Sequence, residues 1–336
     1  MPESSSNILV SIVIPCRNEA TYISYCIDSL LAGSKDIPIE IIIVDGQSTD
    51  NTKEIVSQKS ASNQNIRLID NPDRFTPFGL NAGINNASGE YILIASSHSA
   101  YPPDYISVLL KEITELQAGG IGGVMKTEVL RSTRISESIR IALTHPFGVG
   151  NSLFRTGIDE PMKVDTVPFG LYRKSFFNEV GLYNTELIRN HDIELSKRAL
   201  AAGKSIYLTP SVSCVYYARE SYGGVWKNNF RNGLWNLKTV FITKNLRSLS
   251  LRHFVPLLFI LSLILPVIPA LIWAPLFLLL SALSALAYIL FLTVVSLKTK
   301  KKNTNTLHII TAFLVLHFSY GCGSLAGLFH FYRLLK

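Results

Sequence analysis

The sequence predicts an α/β domain, in which a mostly parallel sheet carries helices on both faces, followed by C-terminal transmembrane α-helices. Two observations predict this architecture. Short runs of β-branched residues alternate with helical patterns along the first 120 residues. Farther along, the stretches 254–297 and 307–332 contain no Asp, Glu, Lys or Arg. Because about 20 apolar residues span a bilayer as a helix, an ordinary soluble protein is excluded.

The charged residues divide the chain in the same way. All 24 acidic residues lie at or before Glu220 together with 20 basic residues, so residues 1–220 have a net charge of −4. The remaining 116 residues contain 12 basic residues and no acidic residue. Because this positive excess flanks apolar spans and forms no stripe on a folded face, the pattern excludes a nucleic-acid-binding protein.

The sheet is expected to begin with four buried strands joined by three helices. Hydrophobic runs without polar alternation predict strands at 10–15, 40–45, 66–69 and 91–95. Helical patterns predict helices at 20–32, 49–57 and 78–87. Ser48 or Thr49 is the expected N-cap of the second helix. Buried strands separated by helices form parallel sheets, in which ligands bind beyond the carboxyl ends of the strands.

Three transmembrane helices are expected in the tail, at 253–273, 275–297 and 307–331. The link between the second and third, 298–306, contains four lysines, and the positive-inside rule places it in the cytoplasm. Counting back through a two-helix hairpin places the first 250 residues in the cytoplasm too. We therefore expect a multi-pass protein of the inner membrane, whose C-terminus with Arg333 and Lys336 lies outside unless the third segment is re-entrant.

A basic, amphipathic region separates the first domain (1–220) from the membrane domain (253–336). Within this region, 221–252, the stretch 222–246 mixes four basic residues with four aromatic ones, Trp226, Phe230, Trp235 and Phe241. Such a pattern is typical of interfacial helices that lie on an anionic leaflet. The region is therefore expected to seat the first domain on the inner face of the membrane.

The third predicted span contains residues that indicate helix packing. Gly323 and Gly327 form a small-xxx-small step, which allows two helices to approach closely. A histidine such as His317 is costly inside a membrane unless it faces protein or water. We expect this span to pack against another helix, within the chain or in a homo-oligomer.

Neither a disulfide framework nor a signal peptide is expected. The four cysteines, Cys16, Cys26, Cys214 and Cys322, show no CxxC or paired spacing, so reduced thiols are expected and a zinc site has little support. The first ten residues contain an acid, no basic residue and the start of a strand-like segment, unlike a signal peptide. The large domain is therefore expected to stay in the cytoplasm.

Polar residues cluster where the predicted strands end. These clusters are Pro15-Cys16-Arg17-Asn18-Glu19, Asp45-Gly46-Gln47-Ser48-Thr49-Asp50 and Ser96-Ser97-His98-Ser99. A carboxylate just past a strand and followed by Gly suits recognition of a ribose or base edge, since Gly allows the tight turn and the carboxylate accepts hydrogen bonds. The alternative is that Asp45 and Asp50 only cap the next helix. No Walker A or GxGxxG motif is present, so a generic phosphate loop is not expected.

Four motifs in order along residues 10–240 resemble those of the family 2 glycosyltransferases, which have the Rossmann-like GT-A fold. They are IVIPCRNEA, EIIIVDGQSTDNT, GLNAGINNASGEYI and the triplet Ser96-Ser97-His98 that closes the fourth strand. The segment 180–210 is similar to the acceptor-side segment of that family. The stretches NPDRFTPFGLNAG and SYGCGSLAGL also resemble a subgroup that builds bacterial exopolysaccharide, such as the succinoglycan glucosyltransferases.

This resemblance implies a donor site at the strand ends. In the family, the loop after the first strand and the Asp after the second hold the nucleotide of a nucleotide-diphosphate sugar, and a UDP-sugar is the expected donor. The corresponding residues here are Pro15, Arg17, Asn18, Glu19 and Asp45. Arg74 and Asn81 fall where the family approaches the nucleotide and the diphosphate.

The resemblance also implies a divalent cation on the diphosphate, held in the family by a DxD motif. That motif aligns with Ser96-Ser97-His98, so both aspartates are missing, and Ser96 and His98 take the positions of the ligands. Mg²⁺ prefers carboxylate oxygen whereas Mn²⁺ accepts imidazole more readily, so Mn²⁺ or Mg²⁺ held by His98 is the expected cofactor. Two alternatives stay open: His98 contacts the phosphate directly as a cation, or it only hydrogen-bonds at the strand end.

The catalytic base of the family is the Asp of a Glu-Asp pair that opens a helix, and it corresponds here to Asp192 in His191-Asp192. A positioned carboxylate can remove the proton of an acceptor hydroxyl as that hydroxyl displaces the diphosphate. The alternative is that Asp192 only caps the helix. Arg231 lies in RNGLW, which resembles a degraded Arg-Trp motif of the family. Three alternatives stay open for it: a position at the membrane surface, a contact with the diphosphate, or plain packing.

These features predict a membrane-anchored, inverting glycosyltransferase that extends a lipid-linked saccharide in cell-surface or exopolysaccharide biosynthesis. Two other functions stay open. One is a processive polysaccharide synthase that also translocates its polymer, although three spans are few to line a channel. The other is a non-catalytic membrane protein that binds nucleotide sugars and has lost the DxD motif.

Overall fold

The computed structural model describes residues 8–34 and 36–332. The chain divides into two compact units, Met1–Lys126 with Leu153–Tyr217 and Thr127–Ser152 with Ala218–Lys336. Residues 1–7, Arg333 and Lys336 lie outside the described residues. The expectations about a signal peptide and about the side of the C-terminus therefore stay predictions.

The first unit begins with the predicted alternation of strands and helices. These elements are β1 (Val10–Cys16), α1 (Ile23–Ala32), β2 (Ile39–Asp45), α2 (Thr52–Ser62), β3 (Ile66–Asp70), α3 (Thr76–Asn85) and β4 (Tyr91–Ile94). β1 pairs in parallel with β2 and β4, and β2 pairs in parallel with β3. The structure thus confirms the four predicted strands and three predicted helices, with boundaries that differ by up to five residues.

The predicted N-cap of α2 is wrong, because the helix begins at Thr52. Ser48 lies too early in the chain to cap it and instead donates its hydroxyl to Asp45. The N-cap is Asn51, which makes no side-chain capping bond. Asp50 precedes it, and its Oδ1 accepts the N–H of Thr52 at 3.1 Å while its Oδ2 accepts the N–H of Ala20 at 3.2 Å. Asp50 thus bonds both to the start of α2 and to the loop after β1, so it does more than cap a helix.

The rest of the sheet is not parallel. After β4 the chain continues with β5 (Ser99–Ala100), α4 (Tyr105–Glu115), β6 (Gly120–Glu128), α5 (Arg134–Thr144), α6 (Pro146–Val149), α7 (Leu153–Thr156), β7 (Met162–Lys163), β8 (Leu171–Arg173), α8 (Lys174–Val180), α9 (His191–Ala201) and β9 (Ile206–Tyr217). The described strands form one sheet in the order β3-β2-β1-β4-β8-β6-β9-β5, with β7 on β9. β8 runs antiparallel to β4 and β6, and β5 and β7 run antiparallel to β9. The sheet is mixed, because the regular strand–helix alternation that parallel neighbours require stops after β4.

Two hydrophobic layers cover the first strands. Ile12 and Ile14 pack with Ile27 of α1 in one cluster, whereas Val13 packs with Leu80 of α3 in the other. Because both faces are buried, a central strand is apolar along nearly its whole length. The exceptions inside β1 and β2 are Ser11 and Glu40, which are buried and bonded to each other at 2.6 Å. Further polar residues follow the carboxyl ends of β1, β2 and β4.

The second unit is helical. Its helices are α5, α6, α10 (Tyr222–Thr243), α11 (Val255–Ile264), α12 (Val267–Ile272), α13 (Leu278–Thr299) and α14 (Thr306–Tyr332). Among the described residues, three segments are long and apolar enough to cross a membrane, Leu251–Ile272, Pro275–Thr299 and Thr306–Phe329. These segments coincide with the three spans that the sequence predicts.

Helices α11, α12 and α13 form an antiparallel hairpin. Phe259 packs on Tyr288 with ring centroids 4.3 Å apart, and Ser281 donates its hydroxyl to the carbonyl of Leu263 at 2.8 Å. This register places the turn of the hairpin near Trp273. Each leg then contains about 20 residues, or about 30 Å of helix, which matches the hydrocarbon thickness of a bilayer.

Helix α10 packs along α14 in the same direction. Near the start of α10, Tyr222 donates its hydroxyl to the carbonyl of His308 at 3.1 Å. Two turns before its end, Asn236 donates to the hydroxyl of Tyr320 at 2.9 Å. The predicted interfacial position of α10 stays a prediction, but this helix has a helical neighbour along most of its length.

The segment 127–152 belongs to the second unit, although the sequence assigns it to the first domain. Ile139 and Ala142 of α5 lie in one buried cluster with Phe313 of α14. On its polar side, α5 carries an ion pair between Arg140 and Glu137 at 2.8 Å. The apolar face of this amphipathic helix packs against the C-terminal helices. A single domain boundary at residue 220 does not capture this contact.

Candidate active site

A cavity of about 450 Å³ lies at the carboxyl ends of β1 and β4 in the first unit. Its walls come from the loop after β1, the β3–α3 connection, the loop after β4, α7, the segment before β8, the start of α9 and the end of β9. Seven predicted site residues line it: Pro15, Arg17, Glu19, Arg74, Ser96, His98 and Asp192. Most of the residues predicted from strand ends therefore share one space.

Asn18 fastens two of the cavity loops to each other. Its N–H donates to Ser48 Oγ at 2.8 Å, and its Oδ1 accepts the N–H of Thr49 at 2.8 Å. Asn18 and Gln47 both adopt left-handed backbone conformations, with φ of 57° and 56°, which Asn tolerates better than most residues. Asn18 thus positions the loop that carries Arg17 and does not itself line the cavity.

Asp45 is fully buried beneath this loop. Its carboxylate accepts the N–H of Ser48 at 2.9 Å and the hydroxyl of the same residue. Lys53 Nζ lies 3.5 Å from Asp45 Oδ2, the oxygen that accepts the N–H of Ser48. These contacts give Asp45 a role in the β2 turn, and its predicted contact with the nucleotide stays a prediction because it is not among the residues that line the cavity.

Arg74 reaches the cavity from the β3–α3 connection. Its backbone is left-handed, with φ of 66°, and its Nε donates to Gln47 Oε1 at 2.8 Å. Asn71, which is buried, precedes it and donates its side-chain amide to the carbonyl of Phe75 at 3.0 Å. The strained turn therefore holds the Arg74 guanidinium beside the β2 loop, where the sequence predicts a nucleotide.

His98 and Glu19 face each other across the ends of β4 and β1. His98 Nδ1 lies 3.2 Å from Glu19 Oε1, and the imidazole packs edge-on against the ring of Tyr216 at 5.2 Å. Ser96 donates its N–H to the hydroxyl of Tyr101 at 2.8 Å. The open interpretation of His98 as a hydrogen-bonded histidine at a strand end fits this geometry.

The donor set at the end of β4 does not fit a resident divalent cation. Mg²⁺ takes six oxygen ligands, and Mn²⁺ also prefers carboxylates, whereas Ser96, Ser97 and His98 supply two hydroxyls and an imidazole. The one carboxylate beside them, Glu19, faces the imidazole. Across residues 8–34 and 36–332, no group of three or more His, Cys, Asp and Glu could hold a metal ion.

Asp192 lies in the first turn of α9, is exposed and lines the cavity. Asn190 precedes this helix in a left-handed conformation, with φ of 61°, which turns the chain so that the helix starts at the cavity wall. The positive end of the helix dipole favours a negative charge there. The arrangement therefore presents an ionisable carboxylate to whatever occupies the cavity.

His191 precedes Asp192 at the start of α9. Its Nδ1 is buried and has no hydrogen-bond partner within the described residues, and its ring packs against Tyr183 at 5.7 Å. Burial lowers the pKa of His191, although the charge of Asp192 opposes that shift. The imidazole is therefore neutral at pH 7, so Asp192 has no cationic histidine beside it.

Asn81 does not line the cavity but fastens one of its walls. Its side-chain amide donates to the carbonyl of Tyr183 at 2.8 Å and accepts the N–H of the same residue at 2.9 Å. Tyr183 in turn lines the cavity next to His191. The contact that the sequence predicts between Asn81 and the nucleotide stays a prediction, and the contacts give it a positioning role.

Sequence reasoning does not find Arg155, a cavity residue on α7. Its guanidinium lies over the ring of Tyr216, 5.5 Å from the centroid. Burial lowers the pKa of this guanidinium, so its charge is held in a partly dehydrated place. The surrounding sequence, GVGNSLFRTG, follows no predicted strand and carries no pattern that points to a ligand.

Arg231 belongs to the second unit, where it lies exposed on α10. Four residues later Trp235 stacks with Lys238, whose Nζ lies 4.9 Å from the ring centroid. The predicted contact between Arg231 and the diphosphate, and its alternative at the membrane surface, both stay predictions.

Residues 11–181 match the family profile described as "Glycosyl transferase family 2". The match covers just over half of the chain. The chain belongs to this family. It is therefore a glycosyltransferase, which confirms the enzyme class and the family expected from the strand-end motifs.

Two relatives match most of this glycosyltransferase. The succinoglycan biosynthesis protein ExoA of Rhizobium meliloti (strain 1021) is 29% identical over 248 residues, which cover 73% of this chain and 74% of that protein. The dolichyl N-acetyl-alpha-D-glucosaminyl phosphate 3-beta-D-2,3-diacetamido-2,3-dideoxy-beta-D-glucuronosyltransferase of Methanococcus voltae is 26% identical over 253 residues, covering 69% of this chain and 77% of that protein. The resemblance to transferases of exopolysaccharide synthesis is confirmed.

A solved structure shares the fold of this glycosyltransferase. It is the mannosyltransferase PcManGT from Pyrobaculum calidifontis in complex with GDP-Man and Mn²⁺, which superposes with a TM-score of 0.59 at 16% identity. The superposition covers 96% of this chain and 87% of that one. The likeness confirms the predicted GT-A fold.

Proposed function

We propose that this protein is a membrane-anchored, inverting glycosyltransferase that moves a sugar from a nucleotide-diphosphate sugar to a lipid-linked saccharide. The observation that carries the proposal is the position of Asp192, which lines the same cavity as Arg17 and His98 at the strand ends. The cavity of about 450 Å³ is thus lined both by an exposed carboxylate and by residues that are expected to hold the nucleotide. Such a volume lies within the range of small-molecule sites.

The reaction requires one displacement at the anomeric carbon of the donor sugar. The acceptor hydroxyl oxygen forms a bond to that carbon, while the bond from the carbon to the diphosphate oxygen breaks. The electron pair leaves with the nucleoside diphosphate, and the hydroxyl proton moves to the carboxylate of Asp192. A single displacement inverts the anomeric configuration.

A requirement for Mn²⁺ or Mg²⁺ stays a prediction. It is supported by the mannosyltransferase of the same fold, which was solved with Mn²⁺. It is opposed by the hydroxyls and the imidazole that replace the DxD motif here. The transfer step above is therefore written with residues of this chain and without a metal ion.

The membrane part of the proposal rests on the apolar tail. Within the described residues, three helices are long and apolar enough to cross a membrane, and the lysines at 298–302 favour a cytoplasmic position for the loop between the second and third. A domain anchored there can reach a saccharide on a polyprenyl-type lipid at the inner leaflet, with a cytoplasmic UDP-sugar as the expected donor. The relative from Methanococcus voltae, named for a dolichyl phosphate acceptor, supports a lipid-linked acceptor.

We expect the full-length protein, purified in detergent, to add one sugar to a lipid-linked saccharide. The experiment incubates it with UDP- and GDP-sugars and with lipid extracts from cells that make surface polysaccharide, and reads the products by mass spectrometry. The expected product is one lipid-linked species heavier by one sugar, with inverted anomeric configuration by NMR. The same saccharide released from its lipid should be a poorer acceptor.

Other outcomes separate the competing functions. A ladder of products with many added sugars would favour the processive synthase. Donor binding without any turnover on any acceptor would favour the non-catalytic binding protein. Equal transfer to the released and the lipid-linked saccharide would remove the lipid-linked acceptor from the proposal.

A further inference from the structure

We propose that Arg155, and not a divalent cation, neutralises the diphosphate that leaves the donor sugar. The inference rests on the proposed function, because it assigns the charge that the transfer step requires. As the bond between the anomeric carbon and the diphosphate oxygen breaks, that oxygen gains negative charge. A positive group held beside it stabilises the transition state.

The position of Arg155 carries the inference. Its guanidinium lies 5.5 Å from the centroid of the Tyr216 ring, and the His98 imidazole packs on the same ring at 5.2 Å. Arg155 therefore lies one aromatic ring away from the position that corresponds to the missing DxD ligand. Both side chains line the cavity that contains Asp192.

The chemistry of the side chains favours the Arg155 guanidinium over a metal ion as the group that neutralises the diphosphate. Ser96, Ser97 and His98 contribute no carboxylate, whereas hard divalent cations depend on carboxylate oxygens. A guanidinium is always charged, and its planar fork donates two parallel hydrogen bonds to phosphate oxygens.

The test measures nucleotide binding apart from turnover. Calorimetry in EDTA compares UDP with UMP, and GDP with GMP, on the full-length protein in detergent. For the preferred base, we expect the diphosphate to bind about 10- to 100-fold more tightly than the monophosphate, which is the size of a charge-assisted contact. Arg155→Met should bring the two affinities together, and Arg155→Lys should restore part of the difference. Added Mn²⁺ should leave the wild-type affinity for the diphosphate unchanged.

A surface variant provides the matched control. Lys111→Met removes one positive charge from α4, where Lys111 faces Glu115 across an exposed pair at 3.9 Å. It should keep the full difference between diphosphate and monophosphate. If Mn²⁺ tightens diphosphate binding tenfold or more, or if Arg155→Met keeps the difference, the inference is wrong.

Turnover separates the failure of this inference from the failure of the proposed function. We expect sugar transfer to continue in EDTA. Transfer that requires Mn²⁺ would overturn the role of Arg155 and leave the glycosyltransferase function intact. Absence of transfer with and without Mn²⁺, together with the expected binding data, would overturn the proposed function and leave Arg155 as a diphosphate-binding residue.

We also infer, from an independent observation, that α14 lies along the membrane surface beside α10 and that the chain crosses the membrane twice. The two helices touch from Tyr222 and His308 at one end to Leu237 and Gly327 toward the other. These contacts extend over 16 residues of α10, from Tyr222 to Leu237, or about 22 Å. Helices in contact over such a length share one orientation relative to the membrane.

The charges on α10 decide which orientation the pair adopts. Lys227, Arg231 and Lys238 all lie on this helix, and cations inside the hydrocarbon region are costly. An amphipathic helix with basic and aromatic residues is typical of the membrane surface. Because α14 runs beside α10, it is expected at the surface too.

The contacts of α14 with the α11–α13 hairpin agree with this orientation. His317 bonds to the hydroxyl of Tyr288 at 2.8 Å, and one turn later Gly321 approaches Pro256 and Ile260. In the hairpin register, these three partners all lie in the half of the hairpin nearer its open end. Thus α14 passes from one leg to the other instead of following either leg. In addition, 44% of an apolar 18-residue stretch of α14 is buried within the protein, whereas 11% is buried in the corresponding stretch of each of the other two segments.

Cysteine labelling tests the number of crossings. In a background of Cys322→Ala, single cysteines replace Trp273, Lys302 and Phe329, and a membrane-impermeant maleimide is applied to right-side-out and inverted vesicles. We expect positions 302 and 329 to react from one side and position 273 from the other. Reaction of position 329 from the side of position 273, its protection from both sides, or reaction of all three positions from one side would overturn the inference.

Discussion

Replacing Asp192 by Asn is expected to lower the rate of sugar transfer by about 10²- to 10⁴-fold, the usual contribution of a general base. The amide keeps the size and hydrogen-bonding ability of the carboxylate but cannot accept the acceptor proton. The loss should appear in kcat, measured with a saturating donor. Because Asp192 is exposed in the first turn of α9, the variant should fold, and it should bind UDP or GDP as the wild type does.

A carboxylate at another helix start provides the control. Asp104 immediately precedes α4, is exposed and is not among the residues that line the cavity. Asp104→Asn removes the same charge from a similar helix position, so it should change the rate by less than about twofold. If both variants lose activity equally, Asp192 contributes to the helix and not to the chemistry. An unchanged rate in Asp192→Asn would remove it as the base.

The part of the fold that the sequence predicts well is the part that local rules determine. A strand buried on both faces is apolar at nearly every position, so β1 and β2 appear as hydrophobic runs that only Ser11 and Glu40 interrupt before their carboxyl ends. The polar residues that follow them must lie at the carboxyl edge of the sheet, and Arg17 and His98 indeed line one cavity. Asp192 is predicted from the family resemblance, since the local pattern of an acid that opens a helix indicates only a cap.

The rest depends on contacts between residues that are distant in sequence. Asn81 fastens Tyr183, which lies 102 residues later in the chain, and no local pattern reveals that partner. Arg155 belongs to the site because α7 and β9 meet beside Tyr216. Asp45 lies at the end of β2, as expected, but its carboxylate accepts a hydrogen bond from the hydroxyl of Ser48 and is thereby bonded within the loop. A position at the end of a strand therefore predicts that a residue lies near the cavity, but it does not predict which contact its side chain makes.

From the close contact between α10 and α14 we predict a second large effect, on the thermal stability of the second unit. A Cβ atom added to Gly233 would lie 2.0 Å from the carbonyl oxygen of Tyr320. On the other helix, a Cβ atom added to Gly323 would lie 2.0 Å from the carbonyl oxygen of Phe230. Such distances are far inside van der Waals contact, and both obstacles are backbone atoms that cannot rotate away. The two glycines therefore let the helix backbones touch, as small residues do in membrane helix pairs.

Gly233→Ala is thus expected to destabilise the second unit by about 1–3 kcal/mol, the usual cost of overpacking. In an open helix the same substitution is favourable by about 0.5–1 kcal/mol, because Gly loses more backbone entropy than Ala. Gly223 of the same helix provides that comparison, since nothing lies within 4 Å of its added Cβ. Thermal unfolding in detergent, followed by the fluorescence of Trp226 and Trp235, should show a lower midpoint for Gly233→Ala and an equal or higher one for Gly223→Ala. A stabilising Gly233→Ala would mean that α10 and α14 do not touch at this point, and the inferred position of α14 at the membrane surface would then lose its main support.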